Sequence, residues 1–281
     1  MTQPQILVST GVFIGRPNGR NHRLLWDVAS RVDADGFELM LYDDWYPFLD
    51  QIASDLLPLK LNVPVLHVEK GIGHLIGLGG EENRRLAYEQ FRVNLWTANQ
   101  FGAKKLVLHL WNGPSLDRNI NRNLEAEAEL RRMAEAEGLL LTVENVVTYG
   151  EAPDHPLDYM RQLLELDPKV AFTYDLKMAA FHLQNARIWD PEWFFLWEKG
   201  RVAHLHVSDY AGGYMDWKNL RTRHLGEGHI DFEDFFRRYD PEVRCDTVTL
   251  ECLSFREDGS LDVDGINRDV KKMRELLTLG G

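Results

Sequence analysis

The sequence predicts an α/β fold in which a single (β/α)8 (TIM) barrel spans residues 1–281. Eight short apolar runs, rich in β-branched residues, alternate with longer segments of helical periodicity. Successive runs end roughly 25 to 45 residues apart, which is enough for a strand and a crossover helix. Most of the runs are continuously apolar, as is typical of strands buried on both faces of a parallel sheet.

The predicted strands are, in chain order, Ile6–Thr10, Gly36–Leu41, Val63–His67, Lys105–Leu110, Leu139–Glu144, Val170–Asp175, Val202–Val207 and Thr247–Cys252. The predicted helices between them include Glu81–Phe101, Arg122–Glu137, Leu157–Leu166 and Trp193–Lys199. Three of these helices end directly before a glycine, the usual left-handed stop, and the other begins after a proline. Residues 68–80 contain five glycines. We predict a flexible loop there, either a lid or a passive connection.

Composition limits the alternatives. An open doubly wound sheet would carry a G-x-G-x-x-G turn after an early strand, and none follows one here. The net charge of −12, from 32 basic and 44 acidic residues, argues against a protein that binds long nucleic acid. No apolar run is long enough to span a membrane. We see no signal peptide and expect no disulfide between Cys245 and Cys252, so we expect a cytoplasmic protein.

Polar residues end the last four predicted strands, where a barrel of parallel strands builds its active site. Strands five, six and eight end at Glu144, Asp175 and Glu251. Strand seven carries His206 and, one layer deeper on the same face, His204, which we expect to pack inside the barrel. One acidic residue at a strand end is often a helix cap or a salt-bridge partner. Four such residues on successive strands predict a shared site.

Three carboxylates and an imidazole at one barrel mouth would repel and desolvate one another without a cation, because burying an unpaired carboxylate is unfavourable. We therefore predict one bound divalent metal ion. The oxygen-rich donor set favours Mn²⁺, Mg²⁺ or Co²⁺, with Zn²⁺ as a further candidate, and leaves open positions for a substrate. This donor set has more oxygen ligands than a closed structural zinc site, which uses sulfur and nitrogen ligands.

These strand-end residues, together with His206-x-x-Asp209 and the loop Leu225–Phe232, resemble the family of xylose-isomerase-like (β/α)8 barrels. That family includes sugar epimerases, inosose isomerases and dehydratases, hydroxypyruvate isomerase and endonuclease IV. The resemblance covers almost the whole chain and implies that four strand-end residues ligate the metal: Glu144, Asp175, His206 and Glu251. Asp231, within the matched loop, is predicted to cap the following helix.

One position departs from the pattern. Many epimerase-like members carry a histidine three residues after the strand-six aspartate, where this chain has Met178. The nearby candidates for substrate binding are Lys177 and His182. Lys177 either holds a phosphate or carboxylate of the substrate or is a solvated loop lysine.

Endonuclease IV is the competing member of the family, and His67 and His109, at the ends of strands three and four, match its ligands. Three other ligands of that enzyme fall here on Met178, Leu220 and Thr222, so a three-metal site is not expected. In the isomerase interpretation His67 and His109 contact substrate hydroxyls or support the metal ligands. Alternatively, they are ordinary polar residues that line the barrel mouth.

The resemblance implies a divalent-metal-dependent isomerase or epimerase of a sugar, inosose or related polyhydroxy keto compound. Glu144 and Glu251 would transfer the proton, and the metal would stabilise an enediolate. Trp111 and Trp217 are predicted to pack against the sugar. An inosose dehydratase-type lyase and an AP-endonuclease-like phosphodiesterase remain alternatives. The expected partner is the small-molecule substrate, with neither nucleic acid nor membrane, and the family also suggests a homo-oligomer.

Overall fold

The computed structural model describes residues 3–111, 120–149, 154–256 and 258–279. Eight strands follow one another in chain order around a closed barrel, which confirms the predicted fold class. The strands are β1 (Gln5–Ser9), β2 (Gly36–Met40), β3 (Val65–His67), β4 (Lys105–Leu108), β5 (Leu140–Glu144), β6 (Ala171–Asp175), β7 (Val202–Val207) and β8 (Thr247–Leu250). Each lies within or beside a predicted run, because continuous apolar β-branched sequence suits strands buried on both faces.

The α-helices of the described residues are α1 (Leu24–Val28), α2 (Leu49–Leu56), α3 (Gly71–Leu78), α4 (Glu81–Phe101), α5 (Ile120–Ala136), α6 (Pro156–Leu166), α7 (Leu176–Phe181), α8 (Phe232–Arg238) and α9 (Val263–Leu276). Helix α4 has the predicted bounds and stops at Gly102, whose φ of 72° is left-handed. Asp231 caps α8 as predicted, since its side chain accepts a hydrogen bond from the Asp234 amide. Among the helices described, none combines the length and the apolar character needed to cross a membrane.

Two sequence-based expectations about local structure are wrong. Instead of the predicted helix Trp193–Lys199, the chain forms a 3-10 segment over Pro191–Trp197. The Trp197 indole donates a hydrogen bond to the Ile188 carbonyl at 2.8 Å, which ties the end of this segment to the preceding turn. The predicted flexible loop at residues 68–80 contains the helix α3.

The glycines of α3 permit close packing rather than flexibility. A Cβ on Gly73 would collide with the His109 carbonyl oxygen and lie 2.7 Å from that of Leu110. Asn123 of α5 donates hydrogen bonds to the carbonyls of Gly73 at 2.7 Å and Leu110 at 2.6 Å. Helix α3 is therefore fixed against the residues that follow β4.

The described residues fall into two compact units, the first within Met1–Glu38, Asp55–Asn62 and Tyr174–Gly281, the second within Leu39–Ser54 and Val63–Thr173. The prediction of one domain over residues 1–281 stays a prediction. In the first unit β1 pairs in parallel with both β2 and β8, and β8 also pairs with β7. In this register Ser9 lies opposite Glu38, and His206 lies opposite Thr249.

In the second unit β4 pairs in parallel with β3 and β5, and β5 pairs with β6. His67 lies opposite Val107, and Glu144 lies opposite Thr173, so both polar residues end a paired stretch. Helix α5 is joined to the end of α6 by the buried Arg131, whose guanidinium contacts the Asp167 carboxylate at 2.6 and 2.8 Å.

Candidate functional site

The four residues predicted as metal ligands all lie at the carboxyl ends of their strands. Glu144 is the last residue of β5 and Asp175 the last of β6, and each is 1% exposed. His206 is the penultimate residue of β7 and has no exposed surface. Glu251 directly follows β8 and is partly exposed. The sequence thus correctly predicted which strand ends carry these side chains.

In the first unit, Glu38 joins two histidines of β7 inside the barrel wall. Its Oε2 lies 2.9 Å from His204 Nε2 and 3.1 Å from His206 Nε2. Thr249 of β8 donates a third hydrogen bond to the same oxygen at 2.8 Å. The opposite nitrogen of His204 lies 2.7 Å from the Thr247 hydroxyl. We call this set, Glu38, His204, His206, Thr247 and Thr249, the β2–β7–β8 cluster.

The carboxyl group of Glu38 is held as an anion. Its complete burial alone would raise its pKa, but attraction to His206 and hydrogen bonds from both imidazoles outweigh burial. They hold the pKa of Glu38 well below its usual range. His204 is fully buried in this cluster, as expected for a residue one layer deeper than His206.

Glu251 and Asp175 also belong to the first unit, and their side chains have different neighbours. Glu251 Oε2 lies 3.9 Å from His206 Nδ1, the imidazole nitrogen that does not contact Glu38. Asp175 is also the N-cap of α7, because its Oδ1 accepts a hydrogen bond from the Met178 amide at 2.9 Å. This cap fixes the orientation of the Asp175 carboxylate at the end of β6.

In the second unit, Glu144 is accompanied by both histidines that the sequence analysis singled out. Glu144 Oε2 lies 2.7 Å from His109 Nε2 and 3.5 Å from His67 Nε2. The two imidazole rings meet edge to face, with centroids 4.8 Å apart. His67 Nδ1 lies 2.9 Å from the Val68 carbonyl, to which it donates. Burial lowers the pKa of His109 to about 3, so this imidazole is neutral at pH 7.

The other predicted substrate contacts differ in their surroundings. Trp111 is fully buried, with its Nε1 donating to the Val146 carbonyl at 3.0 Å and its ring edge-on to Tyr159. Lys177, in α7, is 5% exposed, and His182 directly follows that helix and is also buried. Trp217 is exposed and lies edge to face on Phe181.

One further carboxylate organises the matched loop Leu225–Phe232. Asp209 Oδ2 accepts hydrogen bonds from the amides of Gly226 at 2.8 Å and Gly228 at 2.9 Å. Its Oδ1 accepts from the amides of Tyr210 at 2.8 Å and Ile230 at 3.2 Å. A Cβ on Gly228 would collide with the Asp209 carboxylate, so the turn requires glycine there.

Sequence reasoning missed Glu38. Glu38 does not end a strand but lies in the middle of β2, so the strand-end pattern does not include it. A signal was present, since Glu38 is a lone carboxylate within the otherwise apolar sequence Gly-Phe-Glu-Leu-Met. A buried charge in such a run requires partners.

The donor chemistry fits a divalent cation. Buried carboxylates and neutral imidazoles are the ligands that such ions use in proteins, and each unit holds a compact group of them. Within the first unit the ligand atoms of Glu38, His204 and His206 lie within 4.8 Å of one another, and within the second unit those of His67, His109 and Glu144 do so.

Comparison with known proteins places the fold. Residues 26–274 match the family model described as the xylose isomerase-like TIM barrel. A search of curated proteins found no match. Similar solved structures include a D-tagatose 3-epimerase-like protein, at 17% identity and a TM-score of 0.71 with 98% of each chain covered. The D-allulose 3-epimerase from Methylomonas sp. in complex with D-allulose shares 15% identity, with a TM-score of 0.71 and 98% coverage of both chains. The IOLI protein with a binding zinc atom shares 16% identity, with a TM-score of 0.67 and the same coverage.

Proposed function

The chain belongs to the family of xylose isomerase-like TIM barrels, and from this premise we propose that it is a divalent-metal-dependent isomerase or epimerase of a sugar, inosose or related polyhydroxy keto compound. One observation carries the proposal. Buried carboxylates and an imidazole occupy the carboxyl ends of β5, β6 and β7, and Glu251 follows β8. In barrels of this type the catalytic residues come from these ends.

We assign the metal to Glu144, Asp175, His206 and Glu251. Three carboxylates and one imidazole favour Mn²⁺, Mg²⁺ or Co²⁺, with Zn²⁺ as a further candidate. When bound, the ion supplies Lewis-acid stabilisation of the enediolate that forms from the substrate. The zinc in the IOLI protein supports a metal site in this fold family without identifying the ion here.

The chain's own residues move the proton in this proposal. Glu144 and Glu251 form the acid–base pair, one removing a proton from carbon and the other returning it. His109 is neutral at pH 7 and lies 2.7 Å from Glu144, where it holds that carboxylate in place and adds no competing positive charge. His67 lies on the same carboxylate oxygen at 3.5 Å. Both histidines are assigned to substrate hydroxyls or to the support of Glu144.

The remaining assignments concern the substrate and its setting. Lys177, His182 and Trp217 are proposed to bind the substrate, Lys177 through a phosphate or carboxylate. Trp111 is proposed to act through packing, because its indole is fully buried. The acidic chain, in which Cys245 and Cys252 are buried, suits a cytoplasmic protein that works on a small molecule and not on nucleic acid or a membrane. A homo-oligomer is part of the proposal only by family analogy.

Two alternatives use the same residues. An inosose dehydratase-type lyase would expel a β-hydroxyl from the enediolate. An AP-endonuclease-like phosphodiesterase is favoured by one observation, the His67–His109–Glu144 group, which offers three ligand atoms within 4.8 Å for a further ion. The number of metal ions bound by the purified protein separates the phosphodiesterase from the isomerase, since one ion per chain fits isomerisation and three zinc ions fit the phosphodiesterase.

The test is a screen of ketoses, inososes and their phosphates with Mn²⁺, followed by proton NMR in D2O. We expect deuterium from solvent to enter the recovered sugar at the carbon that loses its proton. On a confirmed substrate, Glu144→Gln and Glu251→Gln should each lower kcat by about 100-fold or more, as is typical for general acid–base residues. Glu165→Gln, at an exposed glutamate of α6, is the matched control. Full activity in both site variants would overturn the assignment.

A further inference from the structure

We propose that Glu38 is a positioning residue that fixes His206 with a proton on Nε2, so that Nδ1 is the nitrogen presented to the metal. The inference rests on the proposed function, because it concerns a residue assigned there as a ligand. It adds a residue that the strand-end pattern does not include. The geometry that carries it lies entirely within the first unit.

The contact between Glu38 and His206 specifies the position of the proton. Glu38 Oε2 lies 3.1 Å from His206 Nε2, and a carboxylate can only accept a hydrogen bond. His206 Nε2 must therefore carry hydrogen. The other ring nitrogen, Nδ1, points toward Glu251, whose Oε2 lies 3.9 Å away. Nδ1 is thus the ring atom that faces Glu251, another proposed ligand.

The rest of the cluster supports the same proton arrangement. His204 Nε2 also donates to Glu38 Oε2, and its Nδ1 lies 2.7 Å from the Thr247 hydroxyl. The Thr249 hydroxyl donates to Glu38 Oε2 at 2.8 Å. Three donors, His204 Nε2, His206 Nε2 and the Thr249 hydroxyl, thus converge on this one carboxylate oxygen. No additional atom is needed to hold Glu38 Oε2.

A metal ion within the cluster itself is a poorer explanation. Glu38, His204 and His206 have no exposed surface, and Thr249 Oγ1 bridges Glu38 Oε2 and His204 Nε2 at 2.8 and 3.0 Å. The hydroxyl already makes hydrogen bonds to both of these ligand atoms. Glu38 contributes a buried negative charge to this cluster. A cation bound to the outer nitrogen of His206 would balance that charge through the imidazole.

An ionised partner behind a metal-bound histidine has two effects. It locks the ring orientation and the tautomer, and it makes the ligating nitrogen a stronger donor. Removal of such a partner typically lowers metal affinity about 10- to 100-fold. Glu38→Gln is the sharpest variant, because it keeps the size of the side chain and removes the charge. Its amide can also donate to Nε2, which would move the proton to Nδ1 and block the ligand.

The experiment measures metal affinity and the position of the proton. Co²⁺ affinity is obtained by competition with a chelator for wild type, Glu38→Gln and the control Thr249→Val, which removes one donor to Glu38 but leaves the contact with His206. We expect affinity to fall about 10- to 100-fold in Glu38→Gln and by less than about threefold in Thr249→Val. Equal losses in the two variants, or no loss in Glu38→Gln, would overturn the proposal.

A second measurement uses only the wild-type protein and so does not depend on whether a variant folds. Long-range proton–nitrogen NMR spectra of histidine-labelled, Zn²⁺-loaded wild type should show His206 with hydrogen on Nε2 and metal on Nδ1. The reverse assignment overturns the proposal. A wild type that binds metal and has the expected tautomer, but converts no sugar, contradicts the proposed reaction and leaves the role of Glu38 supported. A wild type that binds no divalent ion contradicts both.

Discussion

Glu127 is a buried acid that serves no part of the proposed reaction, and its replacement should stabilise the protein in a pH-dependent way. It lies on α5, is 1% exposed, and neither of its carboxyl oxygens has a hydrogen-bond partner among the described residues. Burial, aided by repulsion from Asp167 and opposed by Arg131, raises its pKa from 4.5 to about 7. The perturbation is Glu127→Gln, which removes the ionisation and keeps the shape.

The sign and the magnitude follow from this pKa. The folded protein holds the Glu127 proton more tightly than the unfolded chain, so stability falls as the pH rises from 4.5 towards 7 and stays low above it. Since one pKa unit is worth about 1.36 kcal/mol, the rise of the Glu127 pKa from 4.5 to about 7 corresponds to about 3 kcal/mol of unfolding free energy. The variant should match wild type near pH 4.5 and exceed its unfolding free energy by up to about 3 kcal/mol at pH 8.

The assay is urea unfolding followed by tryptophan fluorescence at dilute protein concentration, from pH 4.5 to 8.5. The quantity of interest is the difference between variant and wild type as it changes with pH, because any constant effect of the buried amide then cancels. Glu125→Gln, at an exposed position on the same helix, is the control and should show a flat difference. A difference for Glu127→Gln that is equally flat would refute the reasoning.

Three further outcomes are expected. Asp269 lies 2.6 Å from His224 and raises the pKa of that imidazole above 6.5. The stability contributed by this pair is complete below pH 6.5 and is lost as the pH rises through the pKa of His224 in the folded protein. His224→Gln should therefore flatten the fall in unfolding free energy with pH in urea titrations, and an unchanged slope would contradict this. Gly73→Ala should lower the unfolding free energy by about 1–3 kcal/mol, because its Cβ would collide with carbonyl oxygens that follow β4; a melting temperature at or above wild type would contradict the packing. Lys177→Met should raise KM about 10-fold or more for a phosphorylated or carboxylated substrate and leave KM for a neutral sugar within about twofold; equal effects on both would rule out an anion contact.

The sequence predicted the architecture and the strand-end residues because both depend on local pattern. Continuous apolar runs indicate parallel strands, and Glu144 or Asp175 at the end of such a run is visible by inspection. The topology then places every such residue at the carboxyl end of a strand. Most residues of the candidate site were therefore predictable from the order of strands and strand-end residues along the chain.

Features that depend on contacts between distant segments were not predictable in this way. Glu38 acquires its role from His206, 168 positions further along the chain. Trp111 was predicted to pack against a sugar, and only the structure shows that its indole is fully buried in contact with Val146 and Tyr159. The glycines of α3 suggested mobility, whereas they permit a helix to pack closely against backbone carbonyls.

The backbone bridge between Asp209 and Arg223 separates the length of the loop between them from the stability of the barrel. Asp209 pairs with Arg223 in an antiparallel bridge, so residues 210–222 leave and return at one fixed point. Lengthening such an excursion is inexpensive, since each doubling costs only about 0.6 kcal/mol in closure entropy. Tyr210 and Gly212 are tied to His229 of the glycine turn, and Met215 to Phe181, so changes of length are best tolerated at the exposed residues near Trp217. Under the proposed function, this interval, which carries Trp217, is where a change of substrate preference would be engineered first.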